Sequence, residues 1–389
     1  MASLRVTQYP HFPANPYQDL MADQLEDLGL TMAYARSLVD LNFQILGRRM
    51  DVLHLHWTHV PREAGRVETA ARYCLFALAL CAARLRGIGI VWTVHNSKAH
   101  EAGGPLSDWL HAVTAGAMAN RVIVQGPAGA RVATEHFRVK AAKIATVKHG
   151  NYAGIIQPCP PRDEVAPRRF LAWGQIRAYK GFGDLAEAFA ESDLNAELTI
   201  CGASVDGDET ARLVDIARAS PKVTVRPEYL DDAELNGELC RADFIVLPYQ
   251  DVLTSGALLM SLTAARPIIV PRIGDLEAYV DDAAAIFYDA RNGTGVFDAM
   301  RKACSLGPEA LVRMCDAARQ AAERHSLAGA AEATLAEYLN ALASSGRARR
   351  APDDDHATTA GSASWPESGV GGSRSEPAPR AKPDQTEPV

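Results

Sequence analysis

The sequence predicts an α/β protein of two Rossmann-like, doubly wound domains that face each other across a cleft. Three observations lead there. The chain has 389 residues, more than one hydrophobic core usually serves. Short β-rich runs alternate with longer helical ones, the pattern of βαβ units and a mostly parallel sheet. The alternation halts at a proline-rich stretch, then starts again.

In the first half, strands are expected near residues 4–8, 52–55, 89–94, 121–124 and 143–147, with helices at 17–28 and 67–85 among the segments between them. In the second half, strands are expected near 170–173, 197–201, 223–225, 244–247, 267–270 and 285–287, with helices near 183–190, 210–219, 232–240 and 255–265. Residues 1–152 therefore form one domain and 170–325 a second. Residues 153–169, rich in proline, link them, and a helix at 326–343 is placed to pack back on the first domain. From 344 to 389 the chain turns to Gly, Ser, Pro and Ala with mixed charges. It cannot bury enough apolar surface to offset its ordering entropy and reads as disordered.

Composition narrows the function. A formal charge of −7 argues against a nucleic-acid partner, whose footprint would be basic. The seven cysteines are scattered, without a CxxC pair, mostly within apolar runs. They read as buried, reduced thiols of a cytoplasmic protein, and no charged-then-apolar leader precedes the first strand. Residues 73–92 are strongly apolar but broken by Arg84 and Arg86. That excludes a simple spanning helix and reads as a buried helix, a glycine turn and a buried strand.

Two motifs of the second half carry phosphate chemistry. Trp173-Gly174-Gln175-Ile176-Arg177-Ala178-Tyr179-Lys180-Gly181 follows a strand and precedes a helix. It sets a guanidinium and an ammonium at the carboxyl edge of a sheet, where a departing diphosphate needs its growing charge neutralised. Leu247-Pro248-Tyr249 leads through Thr254-Ser255-Gly256 into a helix. Thr254 or Ser255 can cap that helix, whose first amides and macrodipole favour an anion. Tyr229, after another strand, is a candidate for holding a nucleobase. In the first half, His54, His56, His59, His95 and His100 cluster around two strand ends. Any of them could equally be structural, and zinc is a poorer reading because no cysteine or tight helical pair joins them. Asp206-Gly207-Asp208 matches a metal-binding DxD string but sits in a turn before a helix, where Asp208 can act as a cap; no metal site is assigned.

Taken in order and spacing, Asn15-Pro16-Tyr17, the run Asp51 through Trp57, Thr93-Val94-His95-Asn96, His100-Glu101, His149-Gly150, Ile176 through Gly181, Val246 through Tyr249, Ser255-Gly256 and Ala265-Arg266-Pro267 resemble the group 1 glycosyltransferases of the GT-B fold. The similarity reaches to about residue 343. Within that superfamily it is similar to the β-mannosyltransferase family of xanthan synthesis, which moves mannose from GDP-mannose to a lipid-linked oligosaccharide. The resemblance implies a nucleotide-sugar donor, a GDP-sugar before a UDP-sugar, held by Gly174, Arg177, Lys180, Tyr229, Thr254, Ser255 and Gly256. It implies a lipid-linked glycan acceptor met by Asn15, Tyr17, His56, Trp57 and Asn96, with peripheral contact at the inner membrane surface and no resident cofactor. The general base would be His95 or the carboxylate of Glu101. Many retaining relatives carry two glutamates where this chain has Val252 and Met260, so inversion is expected. An epimerase of the same fold, or an inactive nucleotide- or glycan-binding homologue, are the competing readings.

Overall fold

The computed structural model describes residues 3–13, 15–57, 66–96, 105–161 and 167–345. The first half runs β1 (Arg5–Tyr9), α1 (Pro16–Asp27), β2 (Thr31–Tyr34), α2 (Leu38–Leu46), β3 (Val52–Leu55), α3 (Arg66–Leu85), β4 (Gly89–Thr93), α4 (Pro105–Met118), β5 (Arg121–Val124), α5 (Pro127–Arg131) with a π turn (Val132–His136), and β6 (Ile144–Thr146). The second runs β7 (Arg168–Trp173), α6 (Phe182–Glu191), β8 (Ala196–Cys201), α7 (Gly207–Ala219), β9 (Val223–Arg226), α8 (Asp232–Arg241), β10 (Phe244–Val246), α9 (Gly256–Thr263), β11 (Ile268–Pro271) and β12 (Ala285–Tyr288). Three helices follow: α10 (Gly295–Ser305), α11 (Pro308–Arg324) and α12 (Leu327–Ser344).

Each half holds one six-stranded sheet, ordered β2-β1-β3-β4-β5-β6 and β12-β11-β10-β7-β8-β9. All the strand pairings are parallel. Helices cover both faces of such sheets, which is why β3 and β4 are buried at every position and are mostly apolar, with the polar His54 and Thr93 buried among them. Helix starts follow local side-chain chemistry: Asn15, Ser37, Asp206, Asp231 and Ser255 each accept an amide at the N-terminus of the helix they precede. Asp206 is thus the cap of α7, and Asp208 lies inside its first turn.

The two halves are not independent. One apolar cluster runs from Val6 and Leu25 through Tyr152 and Ile156 to Leu258, Leu262, Tyr279 and Tyr338. The chain also crosses back, because α12 packs on α1, β4 and β5. Tyr338 there meets His54 Nδ1 at 2.8 Å, Glu337 pairs with Arg121, and Ser345 donates to the Gly87 carbonyl.

Several expectations need correcting. Cys159 and Cys240 form a disulfide that ties the inter-domain segment to α8, so the reading of all seven as reduced thiols fails for this pair. Cys74 and Cys81 are exposed rather than buried. The cytoplasmic expectation loses one of its two grounds. Helix α3 is buried on one face only: Phe76, Leu80 and Ala83 lie in the core, while Leu75, Leu78 and Leu85 face outward. Among the described residues, no helix is long and apolar enough to cross a membrane. Strand β2 was not anticipated; it is a four-residue edge strand with an alternating half-exposed pattern, too short to leave an apolar run. The last helix extends to Ser344, and the remainder of the C-terminal stretch lies outside the described residues.

Candidate functional site

In doubly wound sheets, ligands bind beyond the carboxyl ends of the strands where the strand order reverses. Counted from β7, the second sheet has the order 3-2-1-4-5-6, with its reversal between β7 and β10. The first sheet reverses between β1 and β3. Both phosphate motifs leave the first reversal, and the Gln8 and His56 side chains flank the second.

After β7 the chain makes a short 3₁₀ turn (Ala178–Lys180) and enters α6 through Gly181 at φ 72°. A side chain at 181 would sit 2.5 Å from the Pro248 carbonyl, so glycine allows this loop to lie against the exit of β10. Gly174 has φ 124°, and a Cβ there would fall 2.6 Å from Lys180 Nζ. The ammonium therefore rests over the bare end of β7. Burial, with Arg177 nearby, pushes Lys180 down to about 8. Arg177 donates from Nε and Nη2 to Gln175 Oε1, at 3.1 and 2.9 Å.

On the other side of the reversal, Ser255 caps α9. Its Oγ accepts the Leu258 amide at 3.1 Å and lies 2.9 Å from the Tyr249 hydroxyl. The amides of Gly256 and Ala257 have no hydrogen-bond partner among the described residues, nor does the buried Thr254 Oγ1. The start of α6 differs, because Glu209 already takes the Gly183 amide at 2.8 Å. Helix α9 thus keeps its first two amides free at its N-terminus, unlike α6. Tyr229 follows β9, which lies two strands from β7, roughly 10 Å away; it belongs to a more distant part of the same edge.

In the first half, His95 leaves β4 and stacks on Trp57, ring centroids 4.4 Å apart. Its Nε2 lies 3.1 Å from His56 Nδ1, and His56 Nε2 lies 3.0 Å from Gln8 Oε1. Burial and the neighbouring rings drive both histidines well below the ordinary imidazole value, so both are neutral near pH 7. A cavity of about 30 Å³ is lined by Gln8, Tyr17, Gln18, His54, His56, His95, Gln125 and Lys148, among others.

Some candidate residues are committed elsewhere. Asn15 spends its side-chain oxygen on the Tyr17 amide as the cap of α1. Tyr17 is buried, stacks on His149 at 3.7 Å, and accepts the Gly150 amide through its hydroxyl. His56 sits behind His95 and supports it. Asn96 follows His95 after β4. Glu101, His59 and His100 lie outside the described residues. Among the described residues, no group of three or more His, Cys, Asp or Glu side chains is placed to hold a metal ion.

Three residues at the contact between the halves had no place in the sequence reading. Asp275 accepts the Ala128 and Gly129 amides at 2.7 and 3.0 Å. Tyr279 donates to the Gln125 carbonyl and accepts the His149 amide, both at 2.9 Å. Lys148 lies over the Tyr279 ring. Asp275 and Tyr279 follow β11, their partners Ala128 and Gln125 follow β5, and Lys148 follows β6, so the carboxyl ends of the two sheets meet here. Gln8 was also missed, although it falls at the end of an expected strand.

A family model for glycosyl transferases group 1 matches residues 167–305. The chain is 26% identical over 310 residues to a GDP-mannose:glycolipid 4-beta-D-mannosyltransferase of Xanthomonas campestris pv. campestris, covering 76% of this chain and 83% of that one. Among solved structures, a glycosyltransferase from Rickettsia africae ESF-5 superposes with a TM-score of 0.67 at 12% identity, over 88% of this chain and 99% of that one. Anabaena Alr3699/HepE in complex with UDP and glucose gives 0.66 at 11% identity, over 86% and 99%. Two parallel sheets meeting at their carboxyl edges give the chain the GT-B fold, and its second half carries a glycosyl transferases group 1 domain.

Proposed function

We propose that this enzyme transfers mannose from GDP-mannose, with inversion, to a lipid-linked glycan in exopolysaccharide assembly. The observation that carries the reading is the half-buried Lys180 ammonium, lowered in pKa, across the β7/β10 reversal from the free amides at the start of α9. Lys180, the amides of Gly256 and Ala257, and Thr254 Oγ1 take up the charge of the leaving diphosphate, with Arg177 beside them. That is the task a divalent cation performs in metal-dependent transferases, and the reaction uses no cofactor. Gly174 allows the close approach, and Tyr229 lies on the side of the base. His95 receives the acceptor hydroxyl, and Trp57 and Asn96 flank it; Glu101 is the alternative base. Inversion is favoured because hydrophobic Val252 and Met260 stand where retaining relatives have glutamates. The sugar and the acceptor rest on the kinship to the Xanthomonas enzyme.

An amphipathic surface supports a membrane-bound acceptor. Val39, Phe43 and Leu46 of α2 and Leu75, Leu78 and Leu85 of α3 are exposed on neighbouring helices. Arg48, Arg49, Arg84 and Arg86 are exposed at one end of the pair. An apolar face rimmed by arginines suits the surface of an anionic bilayer.

A thermal-shift panel of nucleoside diphosphates, followed by transfer assays with the matching sugars, tests the reading. GDP at a hundredfold excess over its Kd should stabilise the protein by about 2.7 kcal/mol, and GDP-mannose should label a lipid-linked acceptor. Stabilisation by UDP alone would redirect the donor to a UDP-sugar. Stabilisation by no nucleotide would remove the donor site.

A further inference from the structure

Two buried glutamines stand behind His95, and their hydrogen bonds leave one arrangement of protons. The Gln18 amide is fixed at both ends by backbone groups: Oε1 accepts the Phe12 amide at 2.9 Å, and Nε2 donates to the Pro10 carbonyl at 2.9 Å. The second hydrogen of that Nε2 is directed to Gln8 Oε1 at 3.5 Å. A flipped Gln8 would set one NH₂ group against another, so its oxygen faces Gln18. The same oxygen lies 3.0 Å from His56 Nε2, which must then carry a hydrogen. A neutral ring has one N–H, so His56 Nδ1 is an acceptor. The only hydrogen available for its 3.1 Å contact with His95 is on His95 Nε2. His95 Nδ1 is left as the lone pair, and no described residue bonds it.

We infer that Gln18 and Gln8, acting through His56, are positioning residues that hold His95 in its Nε2–H tautomer with Nδ1 ready to accept a hydrogen. Under the reaction proposed above, on which its catalytic meaning rests, the proton of the acceptor hydroxyl passes to Nδ1. The oxygen forms its bond to the anomeric carbon, and the pair of the broken C–O bond leaves on the diphosphate. A wrong tautomer would set an N–H against the hydroxyl and block that step. His54, His149, His11 and Lys148 also face these rings. Burial pushes His54 to about 3 and His149 to about 4, so neither supplies a competing proton near neutrality. The charge of a bound diphosphate would raise the proton affinity of His95 when it is needed.

The test reads the tautomer directly, on the full-length protein without substrate. Long-range ¹H–¹⁵N correlation of ¹⁵N-imidazole-labelled protein should show His95 neutral, protonated at Nε2 and bare at Nδ1. Gln8→Leu removes the shared oxygen and should give mixed tautomers at His95. Its kcat should fall roughly tenfold, part of the ~10²–10⁴ a positioned base contributes, with KM for the donor within about twofold. Gln8→Lys places a donor there and should reverse both rings. A wild-type His95 protonated at Nδ1 overturns the inference whether or not the variants fold, and so does an unchanged kcat in a folded Gln8→Leu. If the tautomer is as expected but no donor supports transfer, the relay stands and the proposed reaction fails.

Discussion

Lys180 is half-buried with Arg177 nearby, and desolvation and like charge together bring its pKa to about 8 from an ordinary 10.5. Between those values the unfolded chain holds a proton that the folded protein has released. Stability linked to this group therefore rises with pH across the window, and the penalty is fully present below pH 8. Lys180→Met removes the partly desolvated cation, so the empty variant should melt higher than wild type at pH 7 and lose the gain between pH 8 and 10.5. Nucleotide binding should run the other way. A diphosphate stabilises the charged form, so affinity for GDP should fall as pH rises above 8. Calorimetry near pH 8.5 in buffers of different ionisation enthalpy should detect proton uptake on binding. In Lys180→Met the uptake should vanish, and affinity should drop by about 1.5–3 kcal/mol, the worth of a hydrogen bond to a charged group. A variant that melts lower and binds equally well would show that Lys180 serves packing instead.

At the scale of elements, the turn between α9 and β11 holds the clearest stabilising device. Arg266 is 1% exposed. Its guanidinium donates to the carbonyls of Leu239 and Cys240 at the end of α8 and of Pro160 in the inter-domain segment, at 3.0, 3.0 and 2.7 Å. A cation at a helix C-terminus also meets the negative end of its dipole. Arg266→Met keeps the volume but leaves three acceptors without that donor, and should cost roughly 3 kcal/mol or more in urea denaturation. A loss below about 1 kcal/mol would mean that water replaces the guanidinium. The same region shows what a single sequence makes legible. Local chemistry does: most strands show as short β-rich runs, Thr254 or Ser255 as a cap, and Lys180 and Arg177 as cations at a strand end. Distant pairing does not. Arg266 was visible only as part of a motif, because its partners come from two other segments. The Cys159–Cys240 bridge spans 81 residues and carries no spacing signal. Gln8 and Gln18 looked like ordinary polar residues, since their role arises only when β1 and β3 become neighbours.

For the molecule as a whole, the proposed transfer requires the His95 side and the Lys180 side to stay in register, and Asp275 is the clearest fastening between them. It leaves β11 in the second half, is 3% exposed, and takes two amides at the start of α5 in the first. The fit is close: a Cβ at Gly126 would fall 2.4 Å from the Asp275 carboxyl carbon, so only glycine lets the two backbones approach. Tyr279 repeats the link four residues later, through Gln125 and His149. Neither residue belongs to the donor seat at Lys180 and α9. Asp275→Ala should therefore separate the two functions. Two buried amides lose their acceptor, at about 1–3 kcal/mol each if they stay dry, and the halves should relax apart to hydrate them. Small-angle scattering should then report a larger radius of gyration. The Kd for the nucleoside diphosphate should stay within about threefold, since that seat lies within one half, while kcat should fall by at least tenfold because misplaced reactants forfeit their orientation. Gly126→Ala should produce the same pattern by forcing the carboxylate out. A folded Asp275→Ala variant with unchanged dimensions and kcat would show that the shared apolar cluster and α12 hold the register without this clamp.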